Sequence, residues 1–88
     1  MVNNRRSEVE IIGEILALSQ DGVRKTEILY QGNLSYTQLQ EYLSFLLTKE
    51  VLVEKSVPNG NGSSKMYAIT EKGQQLLDTI NRVLIYLK

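Results

Sequence analysis

Inside the segment 37–44, Thr37, Gln38, Glu41 and Ser44 all carry side chains able to make directed hydrogen bonds, and none carries positive charge. A glutamine amide can pair with adenine, a glutamate carboxylate can accept from cytosine, and threonine and serine hydroxyls suit several bases. On one face of a helix this set could therefore contact base edges in a major groove; the alternative is an ordinary solvated helix face. Around it, Arg5, Arg6, Arg24, Lys25 and Thr26, with Ser35 and Tyr36 at the start of the segment, offer cations and donors suited to phosphate oxygens. Scattered surface charge is the competing reading. A third set, Lys55, Asn59, Asn61, Ser63, Ser64 and Lys65, could reach a minor groove or backbone from a loop, or remain an unbound mobile loop.

These side chains need elements to position them. Ser35 followed three residues later by Gln38 is a capping pair. From there Leu39, Leu43, Leu46 and Leu47 recur at helical spacing, with Tyr36 and Tyr42 on the margins. Thr37, Gln38, Glu41, Ser44 and Thr48 then face outward. Tyr36 is expected to pack its ring partly into the core with its hydroxyl near phosphate. Phe45 projects outward and needs cover, from beneath a wing strand or from a partner.

Gly32-Asn33 favours a left-handed helix end that drops Leu34 into the core. Upstream, the spacing predicts a short helix over 26–30. Ser7 with Glu10 caps a first helix whose Val9, Ile11, Ile12, Ile15, Leu16 and Leu18 should be nearly all core, ending near Asp21-Gly22. Two helices joined by a glycine turn, the second running from Ser35 to about Lys49, form a helix-turn-helix. The β-branched run 51–57, the turn formers of 58–64 and a second run over 65–70 predict a β-hairpin with a long, flexible tip. Thr70 is placed to cap a last helix from Glu71 to the end. The expected fold class is α+β, a winged helix-turn-helix with three helices, a hairpin wing and a long C-terminal helix. It divides into 1–70 as the DNA-binding domain and 71–88 as a dimerisation helix.

With 88 residues, 42% apolar, the chain holds one modest core and no second independent domain. No cysteine or histidine is present, which excludes disulfides, thiolate metal sites and imidazole catalysis. The ten acidic residues form no convincing pair and no phosphate-binding glycine fingerprint occurs, so no enzyme, cofactor or metal is expected. The polar, basic start leads into an amphipathic helix and suggests neither signal peptide nor membrane span, hence a cytoplasmic protein. Zero formal net charge argues against binding nucleic acid through bulk charge; local placement of charge has to supply it.

Arg5-Arg6-Ser7 before the first helix, Gly32-Asn33-Leu34-Ser35-Tyr36 at the turn and Tyr67-Ala68-Ile69-Thr70-Glu71-Lys72-Gly73 after the hairpin, in that order and spacing, resemble the small archaeal winged-helix DNA-binding proteins that dimerise through a C-terminal coiled-coil helix. The likeness covers almost the whole chain and implies double-stranded DNA as partner. One departure is Lys49-Glu50-Val51, where such proteins often carry glycine; a left-handed C-cap there has a steric cost.

In the last helix, Leu77, Ile80, Leu84 and Leu87 have 3-4-3 spacing, and Val83 widens the stripe. Ile85 and Tyr86 point away from it, leaving the end apolar nearly all round. A homodimer through Leu77, Ile80, Val83, Leu84 and Leu87 is expected; the alternative is a helix that packs back on its own core. Functionally, a dimeric transcriptional regulator or chromatin-type factor competes with a winged-helix module that binds only protein.

Overall fold

The computed structural model describes residues 6–87, so Arg5, named above as a phosphate contact, lies outside the described residues. The elements run α1 (Glu8–Leu18), β1 (Val23–Arg24), α2 (Lys25–Gln31), α3 (Tyr36–Thr48), β2 (Leu52–Asn59), β3 (Gly62–Ile69) and α4 (Glu71–Leu87). Three of the four helix starts use a side chain three residues in. The Glu10 carboxylate accepts from the Ser7 N–H at 2.9 Å, Glu27 from Arg24 at 3.0 Å and Gln38 from Ser35 at 3.0 Å. These bonds satisfy donors that no preceding turn can satisfy.

Two helices end in the same way. After α2, Leu34 N–H donates to Leu29 and Asn33 N–H to Tyr30, with Asn33 at φ 53°. After α3, Val51 N–H donates to Leu46 and Glu50 N–H to Leu47, with Glu50 at φ 62°. Both are Schellman ends, and in each the next apolar residue, Leu34 or Val51, is delivered into the core. Asparagine tolerates this conformation well. Glutamate does not, so the missing glycine at 50 is carried as backbone strain.

The sheet order is β1-β3-β2, antiparallel throughout. Sequence periodicity did not reveal β1, because two residues are too few to show alternation. The hairpin also differs from expectation. Its strands pair up to Asn59 opposite Gly62, leaving a two-residue turn, Gly60-Asn61, with Gly60 at φ 62°. Glycine at the first central position matches a type II′ turn, whose twist suits paired strands. The strands of the wing are therefore paired to its tip.

Ile15, Leu16, Ile28, Leu39, Leu43 and Leu46 form the centre of the core, closed by Val23, Leu52 and Tyr67 from the sheet. Leu77 and Ile80 complete it from α4, which packs along α1. Gly73 permits that approach: any Cβ there would fall within contact of the Val51 carbonyl oxygen. The core runs across residue 70, and Leu77 and Ile80 are buried in it. Within α1, Val9 is the member of the stripe left exposed.

Candidate nucleic-acid interface

Along α3 the capped start and the inward leucines set the rotation of the helix. Thr37, Gln38, Gln40, Glu41, Ser44 and Thr48 are exposed, so all four proposed base-contacting residues reach solvent. They are not equivalent. The Gln38 side-chain carbonyl already accepts from Ser35 N–H at 3.0 Å, and Ser35 Oγ accepts from Gln38 N–H at 3.1 Å. Gln38 is thus committed to holding the helix start, and its amide plane is set by the cap and not free to turn to the bidentate geometry that adenine requires. Ser35 keeps only its hydroxyl proton for a phosphate oxygen. Gln40 was absent from the residues singled out in the sequence. It lines a shallow depression of about 600 Å³ with Glu41, Ser44, Phe45 and Thr48. The signal available was its four-residue spacing from both Tyr36 and Ser44.

Tyr36 and Phe45 stand differently from expectation. Tyr36 is 60% exposed instead of partly in the core, and Lys25 Nζ lies 4.9 Å from its ring centroid and 3.4 Å from its hydroxyl. The first turn of α3 lies against α2, and the core behind it is already filled by Leu39. Phe45 is 47% exposed and is not under the wing. It lines a cleft of about 370 Å³ between α1 and α3 with Glu8, Ile12, Gln38, Glu41 and Tyr42. Lys49 Nζ is 5.7 Å from its ring. Burial, then the negative charge of Glu8, pushes the Tyr42 hydroxyl up from the ordinary tyrosine range.

Basic residues converge beside the start of α2. Arg24, Lys25, Thr26, Ser64 and Lys65 line a cleft of about 350 Å³ between α2 and the wing. β1 builds it: pairing Arg24 opposite Met66 ties the N-terminal end of α2 to the wing strand. Cations and hydroxyls in one concavity make a good seat for a phosphate oxygen. Arg6, by contrast, is half-buried and already paired. Its guanidinium binds Glu14 at 2.6 Å and also donates to the Gly32 carbonyl, fastening α1 to the end of α2.

The wing also corrects the sequence reading. Register places Glu54, Ser56 and Lys65 on one face with Tyr67, and Lys55 on the other with Met66, so the two lysines project from opposite faces. Glu54 approaches the Lys65 Nζ at 3.7 Å. The other Glu54 oxygen accepts from the Tyr67 hydroxyl at 2.8 Å. Burial, reinforced by this bond, holds that hydroxyl protonated well above the usual tyrosine range. Near the tip Asn59 donates to Ser64 Oγ at 2.8 Å, while Asn61 and Ser63 are exposed.

At the far end of α4, Ile85, Tyr86 and Leu87 are 70, 88 and 76% exposed, and Val83 is also exposed. Leu84 and Leu87 border a groove of about 540 Å³ with Gly13 and Ala17 of α1. Among the described residues no cluster of His, Cys, Asp or Glu could hold a metal, and no helix is long and apolar enough to cross a membrane.

Comparison with known proteins agrees with this architecture. An uncharacterized protein of Methanocaldococcus jannaschii is 33% identical over 85 residues, covering 93% of this chain and 36% of the relative. The chain thus spans about a third of that protein's length. The crystal structure of Sso10a-2, a DNA-binding protein from Sulfolobus solfataricus, superposes with a TM-score of 0.81 at 28% identity, over 92% of this chain and 81% of that one. A PadR family transcription regulator from Clostridium difficile shares the fold at a TM-score of 0.80 and 16% identity, over 92% of this chain and 91% of the other. The winged helix-turn-helix profile matches residues 5–87. From the first helix to the last, then, this chain belongs to the winged helix-turn-helix family and shares its pattern with archaeal proteins of that fold.

Proposed function

We propose that this chain is a dimeric, sequence-preferring DNA-binding regulator that lays α3 in the major groove and holds phosphate in the cleft between α2 and the wing. The observation that carries the reading is the cleft. It gathers Arg24, Lys25 and Lys65 beside the exposed, uncharged start of α3 in a protein of zero net charge. Positioning and reading are thereby separated: the cleft binds backbone, and Thr37, Glu41 and Ser44 face the bases. The Sulfolobus neighbour, described as DNA-binding, supports it. The mechanism is occupancy of a site, not catalysis, and the setting is cytoplasmic. The exposed end of α4, with Val83 and Leu87 beside the half-buried Leu84, supports a second copy of the chain as the covering surface, which would present two α3 helices to successive grooves. The same apolar end favours a second reading, a module that binds only protein.

One titration separates the two. Gel shift against random duplex and a selected oligonucleotide pool, over a salt series, should give retention that falls steeply with salt and a preferred sequence. Retention of neither DNA at low salt rules out DNA binding and leaves the protein module.

A further inference from the structure

We propose that Gln40, and not Gln38, is the glutamine of α3 that pairs with a base, at the centre of a reading ridge formed by Tyr36, Gln40 and Ser44. This rests on the DNA-binding reading above and adds to it the residue that sets specificity and the base it selects. A bidentate contact to adenine requires one amide plane to offer a free carbonyl and a free NH₂ together. The Ser35 N–H holds the Gln38 carbonyl and so fixes its amide plane at the start of α3, and turning that amide toward a base would give up one of the two bonds of the capping box. The Gln40 amide makes no hydrogen bond within the described residues and is exposed. It can meet an adenine without dismantling anything.

Placement points the same way. Residues 36, 40 and 44 stand in one row along the helix, each about 6 Å from the next at 1.5 Å rise per residue, close to two base-pair steps. The row begins at Tyr36, which Lys25 touches at its hydroxyl, and Lys25 belongs to the basic cleft. Phosphate seated in that cleft therefore fixes the register of the row on the duplex. Glu41, Phe45 and Thr48 share the shallow depression with Gln40 and Ser44. Gln38 lies on the opposite margin, in the cleft against α1 with Glu8 and Ile12.

The test compares wild type, Gln40→Ala and Gln38→Ala on the preferred duplex, on random duplex and in thermal unfolding. Gln40→Ala should lose 5- to 150-fold on the preferred site, change little on random duplex and keep the wild-type midpoint. Gln38→Ala should lower the midpoint and weaken both DNAs alike. Replacing site adenines one at a time with 7-deazaadenine, which lacks the N7 acceptor, should weaken wild type at one position to which Gln40→Ala is insensitive. Full preference retained by Gln40→Ala, or preference lost by a thermally normal Gln38→Ala, overturns the assignment. Wild type that binds no duplex overturns the DNA reading and this inference with it.

Discussion

The hydroxyl of Thr70 donates to the carbonyl oxygen of Glu50 at 2.7 Å while accepting the backbone N–H of Gly73 at 3.0 Å. One side chain thus caps α4 and ties it to the strained residue that ends α3. Thr70→Val should lower stability by about 1–2 kcal/mol in urea unfolding, whereas Thr70→Ser, which keeps both bonds, should stay within about 0.5 kcal/mol of wild type. Equal losses in the two variants would show that the hydroxyl does not matter.

Glu50 itself makes a second prediction. At φ 62° a glutamate pays a steric cost that glycine does not. Glu50→Gly should raise stability by about 0.5–1 kcal/mol, and the β-branched Glu50→Val should lower it by at least as much. Denaturant midpoints read both.

Lys25 and Glu54 should act on DNA binding with opposite signs. Lys25→Ala should weaken random and preferred duplexes together and flatten the salt slope by about one unit, as loss of one phosphate contact requires. Glu54→Gln keeps an acceptor for Tyr67 but removes the charge facing Lys65, so random duplex should bind more tightly. Fluorescence anisotropy over a salt series checks both.

For association, the variants to make lie at the exposed end of α4. Ile85→Glu with Leu87→Glu should reduce the mass seen by light scattering to that of a single chain and leave the thermal midpoint of the head nearly unchanged. Ile80→Glu should instead unfold the protein, since it places an unpaired charge in the core at a cost of about 3–5 kcal/mol.

The Tyr67 hydroxyl should ionise only well above the ordinary tyrosine range. Its folded-state pKa is raised, so the stability it contributes is complete below the ordinary tyrosine value near 10 and is lost as pH rises beyond it. Ultraviolet titration should show one late phase that coincides with alkaline unfolding and is missing from Tyr67→Phe.

The helices were legible because their ends are written in side chains: Ser7 with Glu10, Ser35 with Gln38, Asn33 after Gly32. The junction motif from Tyr67 to Gly73 also has physical reasons in the fold, namely a buried hydroxyl on Glu54, the Thr70 cap and the close approach at Gly73. What stayed hidden depends on contacts between segments distant in sequence. Arg6 looks like any N-terminal cation until Glu14 and Gly32 are seen around it. Lys55 and Lys65 look like a matched pair until strand register puts them on opposite faces. Periodicity gave Leu77, Ile80 and Leu87 one stripe but could not tell that its first half faces α1. Gln38 reads as a base-contacting residue and as a cap from the same sequence position, and only the hydrogen bonds separate the two roles.

Helix α4 passes from the core at Ile80 to the exposed Leu87 without a break, about 10 Å of rigid rod and no hinge. For a partner seated on that end, the helix is a shaft whose length and angular phase aim the head. One residue inserted after Leu84 would advance the docking face by 1.5 Å and turn it by about 100° relative to α3, without touching a single residue of the DNA-facing surface. Operator spacing and half-site orientation would thereby be properties of the shaft and not of the ridge that reads the bases.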